Sequence, residues 1–101
     1  MITGYLPFGA DDTFAQKLEQ AGCHRIVAEQ KMNGRPRLEK LLSELQDGDI
    51  LIVCRAAHIG SQADFVKTLI RIGLKHAHLV SVIEDIDTLR DTLHFGIQMS
   101  R

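Results

Sequence analysis

Apolar residues along this chain keep two rhythms: short unbroken or alternating runs, and longer stretches with apolar positions three or four apart. Residues 1–6 form a β-prone run that Pro7 and Gly9 end, and Asp11, Asp12 and Thr13 follow as a helix-start cluster, with Thr13 the expected N-cap. Phe14, Leu18 and Ala21 then fall at helical spacing until Gly22. A second short strand over residues 24–28 centres on Ile26 and Val27, and a polar stretch over residues 29–35 holds the Asn33-Gly34 turn. Pro36 opens a second helix, whose stripe is Leu38, Leu41, Leu42 and Leu45 and whose stop is Asp47-Gly48-Asp49.

Residues 50–54, Ile-Leu-Ile-Val-Cys, are apolar without interruption, as a strand covered on both faces must be, so this strand belongs at the centre of a sheet. A third helix is predicted over residues 62–72, with Phe65, Leu69 and Ile72 on one face, and a fourth strand over residues 79–83. Leu89, Leu93 and Ile97 predict a last helix over residues 88–99. The order βαβαβαβ implies an α/β fold of three layers: a mostly parallel four-stranded sheet with helices on both faces, joined by right-handed crossovers. Ligands of such folds sit beyond the carboxyl ends of the strands, where strand order reverses. The candidate crevice is therefore lined by residues 6–13, 29–35 and 55–61.

A length of 101 residues suits a single domain, since domains commonly hold about 100–150. No apolar run approaches the roughly 18 residues that would span a membrane, and the N-terminus lacks a secretory pattern, so a cytoplasmic protein with Cys23 and Cys54 reduced is expected. A net charge of −1 argues against a domain that holds DNA unaided, because duplex affinity rests on Lys and Arg against phosphates. Any DNA contact is expected to be weak or to need a partner. His76 with His78, and Cys23 with His24, lack the spacing and number of ligands of a zinc site, and neither a metal nor another cofactor is expected.

Taken together, Tyr5-Leu6-Pro7-Phe8-Gly9, Arg35-Pro36 at the second helix, Ala57-His58-Ile59-Gly60-Ser61 after the central strand, and residues 80–88 resemble the resolvase/invertase catalytic domain of the serine recombinases, over residues 2 to about 95. That family carries Tyr-x-Arg-x-Ser after the first strand, its serine attacking a DNA phosphate, and Asp-Arg-Leu-Gly-Arg after the central strand. Aligned on Tyr5, the arginine falls on Pro7 and the nucleophile on Gly9, which cannot form the covalent intermediate; the second motif's charged positions fall on Ala57, His58 and Ser61. Only Arg35 keeps a family-like charge. Phosphoryl transfer needs fixed positive charge, and the loss of one preorganised donor commonly costs about 100- to 1,000-fold.

The resemblance implies a domain without the family's long dimerisation helix and DNA-binding domain. The expectation is a catalytically inactive, regulatory binding domain tied to DNA recombination or gene regulation in a bacterium or mobile element, with a protein partner; self-association is left open, with Phe95, Ile97 and Met99 facing either the domain itself or a partner. The alternative is an enzyme or anion-binding protein using the same crevice through Arg35, Arg55 and His58, the last titrating near neutral pH. Thr13 and Ser61 are weak replacements for the missing hydroxyl, the first because a capping oxygen is already engaged. Asp11 and Asp12 evoke the acidic pair of a phospho-receiver, but the central strand ends in Cys54-Arg55 where a receiver needs an aspartate.

Overall fold

The computed structural model describes residues 1–91. Its elements are β1 (Ile2–Leu6), α1 (Asp12–Gln20), β2 (Arg25–Ala28), α2 (Pro36–Glu44), β3 (Ile50–Val53), a 3-10 turn over Ala56–His58, α3 (Gln62–Leu74), β4 (His78–Ser81) and β5 (Ile86–Asp87). The sheet runs β2-β1-β3-β4-β5, with the first four strands parallel and β3 central, as its unbroken apolar run requires. The fifth strand is an addition to the four expected. It is two residues long, antiparallel to β4, and follows a tight turn in which Asp85 adopts a positive φ of 54°. Two residues carry no periodicity, which is why the pattern of the chain does not announce it.

The pleat of each strand sends alternate residues to opposite layers. Tyr5, Val27, Leu51, Val53 and Leu79 join Leu38, Leu41 and Leu42 of α2 and Ile72 of α3 in one core. Leu6, Ile26, Ile52, Cys54 and Val80 join Phe14 and Leu18 of α1 in the other. Two helices thus cover one face and one the other, giving the three layers predicted. β4 stops at Ser81, short of the predicted residue 83, because Val82 and Ile83 turn outward and are exposed. The predicted helix over residues 88–99 begins at Thr88; Leu93, Phe95, Ile97 and Met99 lie outside the described residues.

Helix α1 is capped by Asp11, whose carboxylate accepts from the Thr13 N–H at 3.0 Å. The cap is therefore two residues earlier than the expected Thr13. α1 also comes very close to the sheet. A methyl group at Gly4 would stand 2.9 Å from Cys23 Sγ and 3.0 Å from Leu18 Cδ1. Gly4→Ala is accordingly expected to lose about 1–3 kcal/mol of stability through overpacking, read as a lower denaturation midpoint at unchanged slope.

Candidate functional site

The strand order reverses between β1 and β3, so the loops after these strands, with the loop after β2, form the end of the sheet where a site is expected. After β1 the chain turns at once: the Ala10 N–H donates to the Pro7 carbonyl at 3.3 Å, and Gly9 takes a φ of +74° as the third residue of that turn. A turn of this form needs a positive φ there, which glycine adopts without cost. Apart from its two chain neighbours, no atom of the described residues lies within 4 Å of a Cβ built on Gly9. The position aligned with the family nucleophile is thus an open, left-handed turn residue.

The loop after β2 brings in the dominant interaction of the site. Glu29, buried at the end of β2, accepts a hydrogen bond from the Tyr5 hydroxyl at 2.8 Å. The same carboxylate accepts from the backbone N–H groups of Arg37 at 3.1 Å and Leu38 at 2.9 Å, in the first turn of α2. Arg35 at the N-cap provides no side-chain cap, and Pro36 has no N–H, so Glu29 supplies the acceptor that this helix start lacks. The helix N-terminus that might have drawn an anion beside Arg35 is satisfied from within the chain. Burial is the main reason the Tyr5 phenol is pushed well above its ordinary range, and its bond to Glu29 adds to the shift.

Arg35 itself is exposed and lines a crevice of about 280 Å³ with Tyr5, Pro7 and Phe8 on one side and Glu29, Lys31 and Met32 on the other. Arg55 and His58 lie elsewhere, at the 3-10 turn after β3. Arg55 is exposed, and the Glu84 carboxylate that shares its electrostatic field receives the Ala56 N–H at 3.1 Å and the Ser81 hydroxyl. The three residues of the expected anion site thus come from two loops, Arg35 from the one after β2 and Arg55 and His58 from the one after β3. Ala57 is exposed and contributes no polar group. Ser61 caps α3 in a reciprocal box, its hydroxyl accepting from the Asp64 N–H at 3.2 Å while Asp64 accepts from the Ser61 N–H at 3.0 Å.

His58 is buried, and its ring meets that of Phe14 edge-on at 4.7 Å between centroids. Its Nδ1 has no hydrogen-bond partner among the described residues. Burial pushes its pKa down from the usual imidazole value, Arg55 pushes the same way, and Glu84 opposes them. The titration expected near neutrality is thus shifted towards lower pH, which favours the neutral ring. What the sequence does not reveal is Glu29, whose signal is an acid at a strand end before a helix start that has no Ser, Thr, Asp or Asn cap.

Two stability measurements check these roles. Glu29→Ala is expected to cost about 2–4 kcal/mol, because it leaves a buried hydroxyl and two helix N–H groups without their acceptor, whereas Tyr5→Phe costs about 1 kcal/mol. For His58 the folded pKa lies below the unfolded value of about 6.5, so its contribution is complete above that pH and falls away as the solution is made more acidic. His58→Leu should flatten the loss of stability below about pH 6.5, seen in urea midpoints compared between pH 7 and pH 5.

No protein-family model matches the chain. Over 80 residues it is 36% identical to the probable DNA-invertase y4cG of Sinorhizobium fredii (strain NBRC 101917 / NGR234), a match that takes in 76% of this chain and 22% of that protein's length. The fold is similar to the crystal structure of the N-terminal catalytic domain of TP901-1 integrase, with a TM-score of 0.63 and 17% identity over 98% of this chain and 91% of that one. Strand order, the placement of the Tyr5 and Ile59-Gly60 segments at the carboxyl end of the sheet, and the invertase match agree: the chain is a serine recombinase/resolvase-like domain.

Proposed function

We propose that this recombinase-related domain acts by binding a protein partner, in a setting of DNA recombination or gene regulation, and leaves DNA strands uncut. The observation that carries the reading is the left-handed turn at Gly9, which offers no hydroxyl to a phosphate at the position of the family nucleophile. Other features support it. Ser61 is engaged as a helix cap, Thr13 lies within α1, and the buried carboxylate of Glu29 is taken up by Tyr5 and the start of α2. Helix α3 leaves Val66, Ile70 and Leu74 exposed at a spacing of four, an apolar strip of the kind used in protein contacts. A DNA role is suggested by the name of the invertase relative, of which this chain spans a minor part.

The test incubates the purified protein with supercoiled plasmid and looks for nicked circles and for a covalent protein–DNA adduct on denaturing gels. Neither is expected. A Pro7→Arg, Gly9→Ser double variant is also expected to stay inactive, since Ala57, His58 and Ser61 would remain. An adduct formed by the unaltered protein overturns the proposal.

A further inference from the structure

Strand β2 forms one border of the sheet, and among the described residues β1 is its one strand neighbour. The Glu29 N–H, just past the strand, donates to the Leu6 carbonyl at 3.0 Å, so the two-residue alternation of a strand turns the backbone groups of Val27 towards β1 as well. The N–H and C=O groups of Ile26 and Ala28 therefore face away from the sheet, where a further strand could meet them. Beside this border lies a groove of about 330 Å³, lined by Arg25 and Val27 of β2 and by Arg37, Lys40, Leu41 and Glu44 of α2. The four helix residues recur at helical spacing, so one face of α2 runs along the open edge.

The groove is basic in a chain whose net charge is −1. Its one acid, Glu44, lies 4.0 Å from Lys40, and Arg25 and Arg37 form no ion pair among the described residues. Arg25 donates from Nε to Thr3 Oγ1 at 3.3 Å, which fixes its stem and leaves its outer N–H groups for an incoming carboxylate. A second copy of the chain would bring its own Arg25 and Arg37 to this border, and like charges repel across paired strands.

We propose that the β2 edge and its flanking groove bind an extended acidic segment of a partner protein, which joins the sheet as a strand and sets alternate carboxylates against Arg25, Arg37 and Lys40. Backbone hydrogen bonds to Ile26 and Ala28 anchor the segment, and the charge on its alternate side chains selects it. This extends the binding role proposed above to a surface other than α3. Its test is independent of whether the domain cuts DNA.

The test titrates the full chain, by fluorescence anisotropy, into a labelled short peptide in which glutamate alternates with valine. Binding is expected to saturate, to weaken in high salt, and to fall at least about tenfold when lysine replaces the glutamates. Methylating the peptide N–H groups at one set of alternate positions should abolish binding and at the other set should not, because a strand offers one edge to its neighbour. Hydrogen exchange at the Ile26 and Ala28 amides should slow on binding, with little change at Val27. An Arg25→Glu, Arg37→Glu double variant should lose the glutamate peptide by at least about tenfold and gain the lysine peptide. Arg37→Gln with Lys40→Gln, confined to exposed helix positions, should weaken the glutamate peptide by about tenfold, and Lys67→Gln on α3 should leave it unchanged. Circular dichroism verifies the fold of each variant.

Equal binding of the glutamate and lysine peptides, equal tolerance of methylation at both sets of positions, or unchanged exchange at Ile26 and Ala28 overturns the proposal. A duplex oligonucleotide that displaces the peptide and binds the groove more tightly, or self-association of the chain through this edge, gives the surface another occupant and overturns it as well.

Discussion

One carboxylate ties together the segments on which this end of the molecule is built. Glu29 follows directly on β2, the Tyr5 hydroxyl reaches it from the neighbouring β1, and the first turn of α2 donates two backbone N–H groups to it. A charge buried this deeply is tolerable only because three donors replace its lost water. The consequence is geometric as well as energetic. With the carboxylate fixed, the start of α2 is held against the end of β1, and the leucine stripe of Leu38, Leu41 and Leu42 is set in register with Leu51, Val53 and Leu79 of the sheet.

The other loops at the same end are closed in a comparable way. Glu84 gathers the Ala56 N–H and the Ser81 hydroxyl, bridging the turns after β3 and β4. Ser61 and Asp64 lock the start of α3, and Gly60 keeps a φ of +147° immediately before them, with Asp64 packed where a side chain on Gly60 would stand. Polar groups in these loops thus mostly serve one another. Exceptions among the described residues include the exposed cations Lys31, Arg35 and Arg55, and the buried His58, whose ring packs against Phe14 and leaves Nδ1 without a partner there.

The architecture was legible from the chain because it rests on long-wavelength signals. The unbroken Ile50–Val53 run marks the central strand, and four leucines at helical spacing mark α2. Short-range partnerships were not legible. Glu29 differs from Gln30 and Lys31 in the chain only as an acid beside an uncapped helix start, a weak mark until folding brings Tyr5 to it, and a two-residue strand such as Ile86–Asp87 is too brief for a period. The details of the site were illegible for the same reason. Arg35, Arg55 and His58 are all basic residues after strands, but their side-chain positions depend on which loop carries each and how deeply it is buried, and sequence order specifies neither.

The turn at Gly9 makes exchange towards the family motif's residues an uphill one. Any L-residue placed there must enter a left-handed backbone that costs roughly 1–2 kcal/mol, and replacing Ser61 with arginine forfeits a helix cap worth about 1 kcal/mol. In a domain whose total stability is commonly about 5–15 kcal/mol, these are substantial fractions. Placing these residues one at a time would thus pass through weaker proteins, so the backbone itself resists that exchange.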